Sequence, residues 1–344
     1  MILAGGMSTR LYPLTKAVPK PLVPVAGEPN TAHVIRYLRS FGIEDVAINV
    51  YYHAEQVIER FGDGSSYGVN LTYLHEDRLT GSAGAVKGME AYLSGETFVV
   101  VGCDDLTDLR LDTLVEFHRK KGALATIALV HADDVTQYGV VVLDDDGRIV
   151  EFQEKPARGT EKSNLVNTGI YVFEPEILAR IPPRTFWDFG RNVFPELQQA
   201  RAAFYGLEMQ AAYWTDIGTP AEYRRATNDV LAGRVRLLGA ARPRGIPPDT
   251  IFGDDVHIEG DVRIGERARL GAGVRIVGPS VVGDDVAIGP YAVVESSILW
   301  DGARVGAYAS VSDCIVGSGF TVAPGAALRG AIVANEPEPE PAAR

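Results

Sequence analysis

Short apolar runs alternate with helix-like amphipathic stretches up to about Gly233. The runs predict strands at Asp45–Tyr52, Asn70–Glu76, Thr97–Asp104 and Ala125–His131, and the amphipathic stretches predict helices at Thr31–Phe41, Gly84–Leu93 and Leu109–Lys121. Strands that alternate with helices at this spacing are typical of a Rossmann-like, doubly wound α/β sheet. Ligands of such sheets bind beyond the carboxyl ends of the strands, so we expect a site at that edge.

After residue 130 the pattern becomes that of hairpins. Tyr138–Val142 and Ile149–Phe152 flank a turn that ends in Asp146-Gly147, a pair typical of tight hairpin turns. A further apolar run follows at Leu165–Phe173. Hairpin strands added to a parallel sheet predict a mixed sheet.

A six-residue rhythm begins at Phe252. A large apolar residue falls at every sixth position, and a smaller residue keeps step with it; the large set is Phe252, Ile258, Ile264, Leu270, Ile276, Val282, Ile288, Val294 and Trp300. Such a rhythm predicts a parallel β-helix, and it resembles that of the left-handed kind. The rhythm slips near residues 300–305 and again before Val316.

These changes of pattern divide the chain into four segments. We predict an α/β domain at 1–233, a linker at 234–250, a left-handed β-helix at 251–333 and a tail at 334–344. The tail alternates Glu and Pro and has almost no apolar side chains, so we expect it to be disordered.

Composition excludes several kinds of partner. The net charge of −12 and the pI near 5.0 disfavour nucleic acid and anionic membrane surfaces. No apolar run approaches the roughly 20 residues of a membrane span, and no signal peptide is recognisable. The two cysteines, Cys103 and Cys314, lie far apart in the sequence, which favours a reduced, cytoplasmic protein.

The first residues have the character of an anion site. The apolar run Ile2–Ala4 meets Gly5-Gly6, where the missing β-carbons leave backbone N–H groups accessible to phosphate. Three cations follow, Arg10, Lys16 and Lys20, with no acidic residue before Glu28. A cationic stretch in an acidic chain predicts a specific anion site.

The stretch Leu3–Val25 resembles the signature of the sugar-1-phosphate nucleotidylyltransferases, also called NDP-sugar pyrophosphorylases, and neither the Walker nor the dinucleotide glycine spacing is present. The resemblance implies nucleotide binding by Leu3, Ala4, Gly5, Gly6 and Thr9. It also implies that Arg10 and Lys20 hold the phosphates. Ser8 departs from the family pattern, which usually has a third glycine there, and the first strand is shorter than usual.

The segment His75–Val86 resembles the nucleobase segment of the same family, where a glutamate is followed by L-G-T-A-G-A. The resemblance implies that Glu76, Gly81 and Ser82 contact the base. Small residues would let a flat base lie against the backbone. Taken alone, the segment is equally well explained by a helix capped at Ser82.

Two carboxylates are candidates for Mg²⁺. Asp104 follows the buried strand Phe98–Cys103, and a hard cation is commonly held by one or two carboxylates together with phosphate oxygens. In the family, the aspartate at this position and the one in W-x-D-I-G-T-P hold the metal, which assigns it here to Asp104 and Asp216. Asp105 remains open as a further ligand.

Three more segments resemble the family's sugar-phosphate pocket: a Y-G-V-V strand, an E-K-P corner and an N-x-G-I-Y strand. The resemblance assigns Lys155 to the phosphate of the sugar. It assigns Glu154, Asn167 and the backbone of Gly139 to the sugar hydroxyls. The side chains suit these groups. The point charge of Lys pairs with phosphate, and carboxylates and amides form hydrogen bonds with neutral hydroxyls.

The resemblance therefore implies that the protein transfers a nucleotidyl group from an NTP to a sugar 1-phosphate and releases pyrophosphate. Glu76 with its Gly-Ser-Ala-Gly segment looks closer to mannose-1-phosphate guanylyltransferases than to enzymes with a glutamine there. GTP and mannose 1-phosphate are the leading substrates. Transfer of a thymidylyl or uridylyl group to glucose 1-phosphate is the alternative.

Two other classes of function are weaker. A non-catalytic regulatory homologue is disfavoured because Arg10, Lys20, Asp104, Lys155 and Asp216 are all present. An acyltransferase β-helix would need a general base, and the sole histidine of the repeats, His257, lies within the regular rhythm. We expect a homo-oligomer, with the β-helix as a candidate interface.

Overall fold

The computed structural model describes residues 1–237 and 246–336. Residues 238–245, in the predicted linker, and residues 337–344, in the predicted tail, lie outside the described residues. The chain forms two compact units, the first made of residues 1–6 and 31–215, the second of residues 7–30 and the described residues from Asp216 onward. We describe each unit by itself.

Thirteen strands and seven α-helices lie within residues 1–237. The strands are β1 (Ile2–Leu3), β2 (Pro24–Val25), β3 (Glu28–Pro29), β4 (Asp45–Val50), β5 (Asn70–His75), β6 (Phe98–Gly102), β7 (Asp105–Thr107), β8 (Ala125–His131), β9 (Gly139–Leu143), β10 (Ile149–Glu154), β11 (Leu165–Phe173), β12 (Phe204–Glu208) and β13 (Trp214–Asp216). The helices are α1 (Asn30–Ser40), α2 (Ala54–Phe61), α3 (Gly81–Gly88), α4 (Glu90–Leu93), α5 (Leu111–Lys121), α6 (Phe194–Gln199) and α7 (Pro220–Leu231).

The first unit is built on a nine-stranded mixed sheet. Its main path runs β10-β9-β11-β6-β1-β4-β5, and β8 pairs with β11 and β12. The strands β6, β1, β4 and β5 are parallel, whereas β11 is antiparallel to its neighbours. This is the predicted Rossmann-like α/β architecture, and the carboxyl ends of the parallel strands meet at one edge.

Aromatic residues fill much of the core of this unit. Phe173, Phe189, Phe194 and Phe204 stack in series, with ring centroids 4.9 to 5.6 Å apart. All four are at most 1% exposed. Stacked rings of this kind contribute beyond the apolar area that they bury.

The predicted strands agree with the structure to within a few residues at each end. One predicted helix is wrong in detail, because Gly84–Leu93 is divided into α3, which already begins at Gly81, and α4. The break falls at Met89, whose φ of −101° and ψ of 20° depart from helical values.

The second unit contains the β-helix, with three strands in each coil. The strands are β14 (Ile251–Phe252), β15 (His257–Glu259), β16 (Val262–Ile264), β17 (Arg269–Leu270), β18 (Arg275–Val277), β19 (Ser280–Val282), β20 (Ala287–Ile288), β21 (Val293–Glu295), β22 (Ile298–Leu299), β23 (Arg304–Val305), β24 (Ser310–Ser312), β25 (Ile315–Val316), β26 (Thr321–Val322), β27 (Ala327–Arg329) and β28 (Ile332–Val333). They form three five-stranded parallel sheets.

The slip in the rhythm falls earlier than predicted. Val282 pairs with Leu299, seventeen positions later, so Leu299 occupies the stacked position that the six-residue rhythm assigned to Trp300. The corner at Ser296-Ser297 is one residue shorter than the equivalent corner of the preceding coil. The regular series therefore ends at Val294.

A polar network holds α7 against the β-helix within the second unit. The Trp300 indole donates to the Tyr223 hydroxyl at 2.9 Å, and that hydroxyl donates to the carbonyl of Pro24 at 2.7 Å. The Arg224 guanidinium donates to the carbonyls of Ser296 and Asp313 at 3.0 and 2.7 Å. Trp300 thus leaves the stacked series and bonds Tyr223, which joins α7 to both the solenoid and the segment 7–30.

Trp300→Phe should lower the free energy of unfolding by about 1 to 2 kcal/mol, because it removes the donor to Tyr223 and leaves space around a buried ring. The measurement is urea unfolding followed by circular dichroism. Tyr308→Phe is the control, since that side chain is 68% exposed. An unchanged midpoint for Trp300→Phe would contradict the role given to this contact.

Candidate functional site

The Gly5-Gly6 turn follows β1 at the carboxyl edge of the sheet. The amide of Ala4 has already left the ladder and donates to Asn49 Oδ1 at 2.9 Å. A β-carbon on Gly5 would lie 2.6 Å from Asn49 Nδ2 and 2.7 Å from Glu76 Oε2, whereas one on Gly6 would meet nothing within 4 Å. Asn49 and Glu76 therefore leave no space for a side chain at position 5, whereas Gly6 is exposed.

The rest of the cationic stretch belongs to the second unit. Thr9 and Arg10 lie in the 3-10 turn Thr9–Leu11, and Lys20 begins the turn Lys20–Leu22. Ser8 has a φ of 51°, in the left-handed region, which explains why glycine suits this position. The Ser8 carbonyl accepts a hydrogen bond from the Thr15 hydroxyl at 2.8 Å, which holds the turn.

Arg10 and Asp216 meet at Gly218 within the same unit. A β-carbon on Gly218 would lie 3.0 Å from Arg10 Nη2 and 3.1 Å from Asp216 Oδ1. Asp216 Oδ1 also accepts the Gly218 amide hydrogen at 3.0 Å. The structure therefore brings together two predicted site residues that lie about two hundred positions apart in the sequence.

Glu76 is a buried carboxylate with several donors. It is 7% exposed and accepts hydrogen bonds from Asn49 Nδ2 at 2.6 Å, from the Thr80 amide at 3.1 Å and from the Thr80 hydroxyl. These bonds compensate for the loss of water around the charge. Gly81 and Ser82 follow directly and begin α3.

The beginning of α3 is covered by the segment around Trp187. The carbonyl of Trp187 accepts the amides of Ala83 and Gly84 at 3.0 Å each, and a β-carbon on Gly81 would lie 2.5 Å from that carbonyl. Ser82 does not cap α3, because the capping position is Thr80. The Ser82 hydroxyl instead donates to Asp188 Oδ2 at 2.9 Å.

Asp104 and Asp105 have different surroundings. Asp105 is 5% exposed, and its two oxygens accept the Gly102 amide at 2.8 Å and the Trp214 indole at 3.1 Å. Asp104 is half-buried at the end of β6. The bonds of Asp105 give it a structural role. Asp104 is a carboxylate, the kind of ligand that suits a hard cation.

The predicted sugar-pocket residues come together in the first unit. A β-carbon on Gly139 would lie 3.4 Å from the Asn167 β-carbon, and the Asn167 amide group donates to the Tyr171 hydroxyl at 3.0 Å. Glu154 ends β10, and Lys155 follows it with a φ of 47° and an exposed side chain. The left-handed backbone at Lys155 turns the chain at the end of the hairpin.

Asp188 lies beside the predicted site residues, although the sequence did not single it out. A β-carbon on Gly190 would lie 2.4 Å from Glu154 Oε2 and 3.5 Å from Asp188 Oδ1, so two carboxylates converge on this glycine. Burial, and then the charge of Asp188, raise the pKa of Glu154 above its ordinary value. Since Asp188 also bonds Ser82, it joins the predicted base segment to the predicted sugar pocket.

Two features are absent from the residues that the structure describes. Residues 1–237 and 246–336 contain no group of three or more His, Cys, Asp or Glu side chains arranged to hold a metal. Over the same two ranges, no helix is long and apolar enough to cross a bilayer. In the solenoid, His257 is exposed and lies 3.1 Å from Asp255.

Gly5→Ala should lower the free energy of unfolding by about 1 to 3 kcal/mol, because the methyl group collides with Asn49 and Glu76. Gly6→Ala is the matched control and should change stability by less than about 0.5 kcal/mol. Thermal unfolding of the two variants measures this. Equal losses would contradict the packing described for the turn.

Activity that depends on ionised Glu154 should fall as pH drops through its raised pKa, at a higher pH than for an ordinary glutamate. Because the folded state holds this proton more tightly than the unfolded chain, the same group should add stability as pH falls. Glu154→Gln should remove both dependences. The measurements are kcat/KM and the free energy of unfolding as functions of pH. If the substitution leaves both profiles unchanged, the assignment is contradicted.

Two known families match parts of the chain. Residues 1–233 match the Nucleotidyl transferase family, and residues 258–338 match the GMPPB C-terminal domain. The chain is 37% identical to the UTP–glucose-1-phosphate uridylyltransferase of Synechocystis, over 86% of this chain and 81% of that protein. It is 32% identical to the mannose-1-phosphate guanylyltransferase of Mycobacterium tuberculosis, over 86% of this chain and 82% of that protein.

A solved structure is also similar. It is that of a putative glucose-1-phosphate thymidylyltransferase from Bacillus anthracis in complex with sucrose, with a TM-score of 0.60 and 29% identity, and the match covers 66% of this chain and 92% of that one. The relatives differ in the base and the sugar that their names give. The extent of the match over residues 1–233, together with the relatives, shows that the chain belongs to the Nucleotidyl transferase family.

Proposed function

We propose that this protein is a sugar-1-phosphate nucleotidyltransferase that converts an NTP and a sugar 1-phosphate to an NDP-sugar and pyrophosphate. The observation that carries the proposal is the Gly5-Gly6 turn, which leaves a parallel strand at its carboxyl end in a chain of the Nucleotidyl transferase family. Relatives named for this reaction support it.

The leading substrates are GTP and mannose 1-phosphate. The glutamate at position 76 and the match to the GMPPB C-terminal domain favour this pair. The uridylyltransferase and thymidylyltransferase relatives favour UTP or dTTP with glucose 1-phosphate as the alternative. The choice of base and sugar depends on a few contacts worth about 1 to 3 kcal/mol each.

The proposed roles follow the chemistry of each side chain. Nucleotide phosphates lie on the Gly5-Gly6 turn, Arg10 binds the β- and γ-phosphates, and Lys20 binds the α-phosphate. Leu3, Ala4, Thr9, Glu76, Gly81 and Ser82 bind the rest of the nucleotide. Asp104 and Asp216 would hold Mg²⁺, which supplies neutralisation of phosphate charge.

Lys155 neutralises the phosphate of the sugar, and Glu154, Asn167 and the Gly139 backbone bind its hydroxyls. An oxygen of that phosphate attacks the α-phosphorus in line, and pyrophosphate leaves. Two anions must approach each other, so positioning and charge neutralisation carry the reaction, without a covalent intermediate on the enzyme.

The test incubates the protein with Mg²⁺, each NTP in turn and a panel of sugar 1-phosphates, and follows pyrophosphate release. We expect release only when both substrates are present, fastest with GTP and mannose 1-phosphate, and its loss on adding EDTA. Fastest release with UTP or dTTP and glucose 1-phosphate would overturn the substrate assignment alone. No release with any pair would overturn the proposed activity.

Lys20→Ala and Asp216→Ala should each reduce turnover by about 100-fold or more. The first removes a positive charge from the α-phosphate, and the second removes a carboxylate that would hold Mg²⁺. Lys16→Ala is the control from the same cationic stretch, and should retain turnover within a few-fold. Circular dichroism checks that the variants fold. Wild-type turnover in either Lys20→Ala or Asp216→Ala would contradict the role assigned to that residue.

A further inference from the structure

Asn49 lies where three parallel strands end. It is 3% exposed on β4, and it is paired in register with Leu3 of β1 and Leu74 of β5. Its Oδ1 accepts the amide of Ala4 at 2.9 Å, and its Nδ2 donates to Glu76 Oε2 at 2.6 Å. The buried side-chain amide of Asn49 therefore bonds the residue after β1 and the residue after β5, the two strands that flank β4.

The two bonded groups introduce the two predicted nucleotide segments. Ala4 directly precedes the Gly5-Gly6 turn. Glu76 accepts hydrogen bonds from the amide and hydroxyl of Thr80, which occupies the N-cap position of α3, where the predicted base segment continues. A continuous set of hydrogen bonds, Ala4 to Asn49 to Glu76 to Thr80, thus connects the phosphate turn to the base segment.

We infer that Asn49 is a positioning residue for the nucleotide, which fixes the separation of the phosphate turn and the base segment. The inference rests on the proposed function, since it takes both segments as one nucleotide site. Only a side chain with one acceptor and one donor can make both bonds, because Ala4 offers a hydrogen and Glu76 offers an oxygen. Aspartate has the right shape and lacks the donor.

The same arrangement limits what Glu76 does. A carboxylate has about four acceptor positions, and Thr80 and Asn49 use three of them. One position on Oε2 is left for a hydrogen of the base. Glu76 therefore accepts a single hydrogen bond from the base, and its orientation depends on Asn49.

The first variant is Asn49→Asp, which places two carboxylates within hydrogen-bond distance. At neutral pH they repel, and we expect the KM and the dissociation constant for Mg-NTP to rise by about tenfold or more. As pH falls, the pair shares one proton, which restores a hydrogen between them, and NTP binding should recover. The KM for sugar 1-phosphate should change much less.

The second variant exchanges the groups. In Asn49→Asp with Glu76→Gln, the introduced carboxylate would accept from Ala4 and from the introduced amide group, while the oxygen of that amide would accept from Thr80. The double variant restores the pattern of hydrogen bonds among these four residues and moves the negative charge from position 76 to position 49. The double variant should lack the recovery of Mg-NTP binding at low pH that Asn49→Asp shows, because no pair of carboxylates is left to share a proton.

Asn70→Asp is the control, because Asn70 is exposed on β5, where it donates to Asp45 at 3.0 Å. It should leave both KM values unchanged. A purely structural role would lower the melting temperature of Asn49→Asp and affect both substrates equally. That result, or a double variant whose Mg-NTP binding still recovers at low pH, would overturn the inference.

Calorimetric binding of Mg-GTP and Mg-UTP is measured beside turnover so that two failures can be told apart. If the wild-type protein binds an NTP and transfers nothing, the proposed function fails, and the binding constants of the variants still decide the role of Asn49. If the wild-type protein binds neither nucleotide, both are overturned. If it binds and transfers while Asn49→Asp binds equally well at neutral pH, the inference alone fails.

Discussion

The shortness of β1 is the constraint on which the rest of the first unit depends. Leu3 is the last residue of this strand, and its carbonyl still accepts the Cys103 amide at 3.0 Å. On the side that faces β4, the amide of Ala4 donates to the side chain of Asn49 instead of to a backbone carbonyl. The backbone is thereby released from the sheet while it remains anchored, and in the site that we propose the glycines that follow present N–H groups to phosphate.

The second unit shows how the remainder of the same signature is held. Residues 7–30 belong with α7 and the β-helix, and Tyr223 connects them by bonding both Pro24 and Trp300. Arg10 and Asp216 meet at Gly218 in this unit. The β-helix therefore stabilises the segment that carries the cations, a role that its own sequence does not suggest.

Much of the fold was predictable because the relevant signals are local. Apolar runs gave β4, β5, β8 and β11 to within a few residues, since a buried strand needs consecutive apolar side chains. The register near Trp300 was predicted wrongly because Leu299 and Trp300 are both large and apolar. A rhythm cannot tell which of two such neighbours points inward when a corner loses one residue.

The site was predictable only where a contiguous motif carries it. Arg10, Asp104 and Lys155 stand in recognisable segments, whereas Asn49 is one polar residue inside an apolar strand, and its partners lie 45 and 27 positions away. Asp188 was missed for the same reason, since its partner Ser82 is 106 positions distant. The proposed roles of the motif residues come from resemblance, and the contacts of Asn49 and Asp188 come from the fold.

The central claim is that the protein joins the α-phosphorus of an NTP to the phosphate of a sugar. The most direct measurement supplies GTP or UTP labelled at the α-phosphorus, with Mg²⁺ and mannose or glucose 1-phosphate, and separates the products. We expect the label to appear in an NDP-sugar and the released pyrophosphate to be unlabelled. Label that remains in the NTP, or that appears as free nucleoside monophosphate, would contradict it.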